Sequence, residues 1–313
     1  MGKTIVLAFG GNAIVKSGEK GTRDEQWNNI KKTCAYVAEL IKQGHRVVIT
    51  HGNGPQAGNI LIKNEIAKDA VPSMPLDVIV SNTQGAIGYA ISQVMRNYFD
   101  SIGLEIPIVA VITQVIVSAE DPAYQNPTKF VGPFFSQEQA EDIMKTKGHT
   151  MKEDSGRGWR RVVPSPEPLE IVEGKTIKKL LDEGCLVIAV GGGGIPVIRT
   201  DLGLVGVEAV IDKDKAGQRL AQDVGADLLF LLTEVDRVCI NFGKPEQKEL
   251  SCMTIKEAQQ YLDEGHFPAG SMGPKVEAGI RFAASGLNRL AAIVSLERAN
   301  KVLSGESGTI INA

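Results

Sequence analysis

In KTIVLAFGGNA, residues 3–13, five apolar positions from Ile5 to Phe9 run straight into Gly10 and Gly11. An unbroken apolar run of this length reads as a strand covered on both faces, as in a parallel sheet. HRVVITHGNG, residues 45–54, repeats the arrangement and ends in Gly52 and Gly54. Between the two, Trp27, Ile30, Cys34, Val37 and Ile41 fall three and four apart and predict a helix from about Thr22. Strand, glycine turn, helix, strand is the signature of an α/β fold.

The alternation continues outward. Helical patterns cover 55–67 and 77–100, and a nearly continuous apolar stretch predicts one strand over 106–117. Helices follow at 175–184, after Lys213, at 254–264 and at 272–285. Between them come strands at 185–190 and 227–232, a strand or hairpin to Val210, and a last strand at 289–295. Asp121 to about Pro168 breaks this rhythm with dense proline, glycine and polar residues around one helix at 136–147, and reads as a small excursion suited to a lid. The expected fold is a three-layer αβα sandwich around an open, mainly parallel central sheet, with this small lid subdomain protruding from it. Two lobes are expected, 1–180 with the lid at 121–168, and 181–313.

Composition narrows the function classes. The 313 residues carry 34 basic and 37 acidic side chains, a net charge of −3, which gives no basic face for nucleic acid. No apolar run reaches the roughly 18 residues of a membrane helix. Cys34, Cys185, Cys239 and Cys252 are far apart, without a CxxC, and the four histidines lack metal-ligand spacing. A start lacking a long apolar core, together with unpaired cysteines, leads us to expect a reduced, cytoplasmic setting.

Glycines at the carboxyl ends of strands let backbone N–H groups approach an anion, and the next helix adds its positive end. Gly10, Gly11 and Asn12, with Gly52, Asn53 and Gly54, are therefore candidates for a small oxyanion pocket; the plain alternative is that the glycines only turn the chain. GNGPQA at 52–57 also matches a dinucleotide fingerprint, and so an oxidoreductase. Against that, Pro55 sits inside the turn and no second strand precedes Asp77, the one acid near the ribose distance. Phosphate-loop and protein-kinase motifs are absent. In EAVIDKDK, residues 208–215, Asp212 can cap a helix, while Lys213 can hold phosphate with Asp214 orienting it. GSMGPK at 270–275 places Lys275 at another helix start, and Lys129 sits in the stiff loop NPTKFVGPFF.

These segments together resemble the carbamate kinases, a branch of the amino-acid kinase fold. The match runs through GGNA (10–13), THGNGPQAG (50–58), SNTQGAIGY (81–89), PTKFVGPF (127–134), AVGGGGIPV (189–197), EAVIDKD (208–214), LTEVD (232–236) and GSMGPK (270–275). Relatives acting on acetylglutamate or uridylate usually carry a lysine near the end of the first strand, where this chain has Leu7-Ala8-Phe9. Phe130 and Phe135 stand where proline and tyrosine are more usual. The resemblance implies phosphoryl transfer between ATP and carbamate, giving ADP and carbamoyl phosphate, with Mg²⁺ held by phosphates and water, run toward ATP in arginine breakdown by a homodimer. It implies catalytic roles for Lys129, Lys213, Asp214 and Lys275. It places the acceptor on Gly10, Gly11, Asn12, Gly52, Asn53 and Gly54. The nucleotide would lie on Lys213, Thr233, Glu234, Val235, Asp236, Val238, Met272, Gly273 and Lys275. A non-catalytic nucleotide sensor with this fold would have no need to keep all four charged groups.

Overall fold

The computed structural model describes residues 2–16, 18–154, 156–268, 270–302 and 304–313, apart from the side chains of Asn12 and Asn300. Its main sheet has eight strands, in the order Cys252–Thr254, Thr309–Asn312, Leu290–Ser295, Leu228–Thr233, Thr4–Phe9, Arg46–His51, Leu186–Ile188 and Ile108–Ala110. Thr4–Phe9 lies at the centre. It pairs in parallel with Arg46–His51 on one side and Leu228–Thr233 on the other. Only the pairing of Leu290–Ser295 with Thr309–Asn312 is antiparallel within this sheet.

Side chains of the central strand alternate between two cores, as strand geometry requires. Ile5, Leu7 and Phe9 pack with Ile30, Cys34 and Val37 of α1 (Arg23–Lys42) and with Ile87, Ile91 and Phe99 of α3 (Leu76–Ser101). Val6 and Ala8 face Ile177 of α5 (Gly174–Asp182), Leu220 of α6 (Lys213–Asp223) and Phe282 of α8 (Met272–Ala284). The two helix layers enclose the sheet. The remaining helices are α2 (Gly54–Ala67), α4 (Gln137–Lys147) and α7 (Ile255–Asp263). Thr22 starts α1 with a capping box, its side chain and that of Glu25 each accepting from the other's backbone N–H, as Ser-x-x-Glu-type starts do.

Several sequence expectations need correction. The stretch 106–117 is two strands in two sheets. Ile108–Ala110 ends the main sheet, and Gln114–Ile116 joins a four-stranded sheet with Gly203–Gly206, Ile195–Thr200 and Glu170–Ile171. The chain leaves the first sheet at Thr113, whose backbone N–H donates to Gln84 and whose carbonyl accepts from it. The strand expected at 185–190 stops at Ile188. Leu290–Ser295 is not the last strand, because Thr309–Asn312 follows, and a short hairpin, Val238–Ile240 with Lys248–Leu250, had no sequence expectation. The excursion holds a three-stranded antiparallel sheet, Lys129–Phe135, Trp159–Val163 and Met151–Glu153, beside α4.

Candidate active site

The two glycine turns meet where the central strand and its neighbour end. The Gly52 N–H donates to the Phe9 carbonyl at 3.2 Å. A Cβ on Gly52 would sit 3.5 Å from the Gly11 nitrogen and 3.2 Å from Cδ of Lys213. The lysine stem therefore passes over the second turn, where glycine leaves it room. Asn53 precedes α2 and points its Nδ2 at the Thr83 hydroxyl of α3, 2.9 Å away. Pro55 lies in the first turn of α2, where the missing N–H removes no helical bond.

Beside these turns, α6 begins at Lys213. Asp212 caps it, accepting from the backbone N–H groups of Asp214 (2.9 Å) and Lys215 (3.4 Å). The buried Asp214 carboxylate receives Lys213 Nζ at 2.8 Å and Lys275 Nζ at 3.0 and 3.1 Å. Lys275 projects from the first turns of α8. From the excursion, Lys129 Nζ reaches the other oxygen of Asp212 at 2.9 Å. Three ammonium groups thus share two carboxylates, leaving one excess positive charge (3 − 2) at the starts of two helices, whose dipole ends are also positive.

The titration behaviour follows from this crowding. Burial alone would raise the Asp212 carboxyl, but Lys129 and Lys213 more than offset it and hold it near about 2. Burial likewise opposes ionisation of Asp214, and the two lysines pull it below the ordinary range. Lys213 is raised despite burial, because Asp214 stabilises its charge. Lys275 goes the other way. Burial and repulsion from Lys213 outweigh Asp214 and bring it down to about 8.

All five charged groups line one cavity of about 1010 Å³, together with Gly10, Gly11, Gly52, Asn53 and Gly54. Its lining also includes Thr233, the last residue of the strand Leu228–Thr233, the next three residues Glu234, Val235 and Asp236, and Met272. Asp236 is anchored by the Ser295 hydroxyl and by Arg298 at 2.9 Å. The side chain of Asn12 lies outside the described residues. Val238 does not reach the cavity: its side chain is fully buried in the core, and its N–H donates to the Thr309 hydroxyl at 2.8 Å. Because strand side chains alternate, its neighbour Cys239 lines the wall instead. Gly273 is also behind the wall, its N–H bonded to the Pro268 carbonyl at 2.9 Å. Sequence reasoning missed Phe267, Leu296, Arg160 and Gly192, all of which line the cavity alongside Phe242. Only the glycine cluster around Gly192 carried a local signal.

His51 sits beneath the second turn, fully buried, with Nδ1 donating to the Gly52 carbonyl at 3.0 Å; burial lowers it to about 4. A ring so placed is neutral and does not line the cavity. The cluster of ammonium groups at two helix starts is suited to holding a polyanion. Among the described residues no group of three or more His, Cys, Asp or Glu could chelate a metal ion.

The chain matches the amino acid kinase family over residues 3–290. It is 50% identical over 311 residues to a carbamate kinase of Pyrococcus furiosus, covering 99% of both chains. It is 46% identical over 313 residues to carbamate kinase 1 of Enterococcus faecium, again at 99% of each. Among solved structures, the carbamate kinase of Giardia lamblia bound to AMP-PNP superposes with a TM-score of 0.94 at 44% identity, over 99% of this chain and 98% of that one. The chain belongs to the amino acid kinase family and, within it, to the carbamate kinases.

Proposed function

We propose that the protein transfers a phosphoryl group reversibly between ATP and carbamate, giving ADP and carbamoyl phosphate, and runs toward ATP. The observation that carries this is the Lys213–Asp214–Lys275 cluster seated against the two glycine turns. Carbamate is an anion at neutral pH, so its attacking oxygen needs no base, in keeping with a buried, neutral His51. Catalysis then rests on in-line positioning and on cations around the moving group. Gly10, Gly11, Asn12, Gly52, Asn53 and Gly54 hold the carbamate or carbamoyl group. Lys213 and Lys275 bind the transferred phosphoryl and neutralise its charge, and Asp214 keeps both ammonium groups aimed by charge-assisted hydrogen bonds. Thr233 to Asp236 and Met272 enclose the nucleotide.

Asp212, Asp214 and Asp236 are each paired with basic side chains, and we assign Mg²⁺ to phosphate oxygens and water. When bound, it adds positive charge to the phosphates. We assign carbamate binding and the contact of a homodimer to residues 1–180, nucleotide binding to 181–313, and a closing role to 121–168, with Lys129 at its tip. A coupled assay for ATP formed from ADP and carbamoyl phosphate tests the proposal. Absence of ATP formation, with acetyl phosphate or another acyl phosphate serving instead, would overturn it.

A further inference from the structure

Val190 has φ 55° and ψ 33°. Of the non-glycine residues at positive φ among those described, it alone is β-branched; the other two are asparagines. Such a side chain does not hold this conformation unless its surroundings impose it. Here two threonines do so. The Val190 N–H donates to the Thr113 hydroxyl at 3.0 Å, and its carbonyl accepts from the Thr50 hydroxyl at 2.9 Å. Thr113 is itself fixed: its hydroxyl donates to the Val111 carbonyl at 2.8 Å, and Gln84 brackets its backbone at 2.7 and 3.1 Å. The same Gln84 amide also donates to the Gly191 carbonyl at 3.1 Å.

The turn launched by Val190 has no spare room. A Cβ on Gly191 would meet His51 Nε2 at 2.4 Å, and one on Gly192 would meet Asn53 Nδ2 at 2.3 Å. On Gly193 it would meet the Ile211 carbonyl oxygen at 2.3 Å. Bare backbone is thus wedged between the acceptor turn at 51–53 and the residue two before Lys213. We infer that Thr113 and Gln84, neither of which lines the catalytic cavity, are positioning residues that fix the spacing between acceptor and phosphate lysine by holding Val190 left-handed. The inference rests on the roles proposed above for Asn53 and Lys213.

Thr113→Val keeps the shape and deletes the hydroxyl; Thr113→Ser keeps the hydroxyl. Because a misplacement of about 1 Å can cost about 100-fold in rate, Thr113→Val is expected to lower kcat by roughly tenfold to 100-fold. KM for ADP should stay within about twofold, and Thr113→Ser should return kcat to near wild type. Amide exchange at Gly193 and Gly194, whose N–H groups bond back to Val190 and Gly191, should quicken in Thr113→Val whatever the activity. Unchanged kcat and exchange in Thr113→Val, or an equal loss in Thr113→Ser, would overturn the inference. If Thr113→Val does not fold, Gly192→Ala must produce the same split, and wild-type kcat there would overturn it too. A wild-type enzyme that makes no ATP would instead sink the proposed reaction, leaving the exchange readout to judge Thr113.

Discussion

Replacing Asp214 by asparagine keeps its shape and removes the charge between two lysines. At the observed 3.0 Å to Lys275, an effective dielectric near 20 gives an attraction of about 5 to 6 kcal/mol for each lysine–carboxylate pair. Desolvation consumes much of that, so the net effect is smaller than the sum. The variant has an easy way to relax. Lys275 already titrates near about 8, so releasing its proton at pH 7 costs only about 1.4 kcal/mol. The cluster should therefore stay folded but lose one ammonium group and the alignment of the other. Losing a preorganised charge contact of this kind costs on the order of 100-fold in kcat. The coupled ATP assay, run from pH 6 to 9, checks both parts. Wild-type kcat/KM should fall above about pH 8 as free-enzyme Lys275 deprotonates, and Asp214→Asn should shift that limb to lower pH. An Asn variant within about threefold of wild-type kcat, with the same pH profile, would refute the assignment of Asp214 as the group that aims the lysines.

Lys129→Ala should lower turnover by about tenfold with little change in ADP affinity, since Lys129 is part-exposed and its ammonium group pairs with Asp212; equal kcat by the same assay would remove it from the mechanism. Hydrogen exchange over 121–135 should slow when ADP and a carbamate analogue bind together, and unaltered exchange would leave that segment static. His51 binds a proton more readily unfolded, near 6.5, than folded, near about 4, so stability should fall as pH drops from 6.5 to 4. At about 1.4 kcal/mol per pH unit the loss is about 3 kcal/mol, read from urea midpoints. An equal slope in His51→Gln would show that the ring is not responsible.

What could be read from the chain was whatever is encoded locally. Ile5 to Phe9 could only be a buried strand, and glycines placed directly after two such strands marked where a ligand would sit. Lys213 and Lys275 stood at helix starts that local rules find. The misreadings share a cause. Val190 ends an apolar, β-branched run and reads as strand; only the hydroxyls of Thr113 and Thr50, distant in sequence, turn it left-handed. Thr113 splits 106–117 for the same reason, through Gln84 on α3, and no glycine or proline announces it. Val238 was assigned to the right segment but the wrong face, and Cys239 lines the cavity in its place. Which of two alternating side chains faces the cavity depends on pairing with Lys248–Leu250, which no local pattern specified. Phe267 comes from a loop, positioned only once the whole sheet exists.

The place of Thr4–Phe9 at the middle of the main sheet also bears on how the protein is made. Its pairing with Arg46–His51 is available early, but Ile5 waits for Leu228 on its other edge. At roughly 5–20 residues per second of synthesis, those 223 residues take about 11 to 45 s. For that interval a strand with five consecutive apolar residues offers a row of unpaired backbone groups to any neighbour. This is the kind of exposed edge that aggregates. A ribosome-bound chaperone that shields the first third of the chain would therefore govern yield more than any residue of the finished catalytic cavity.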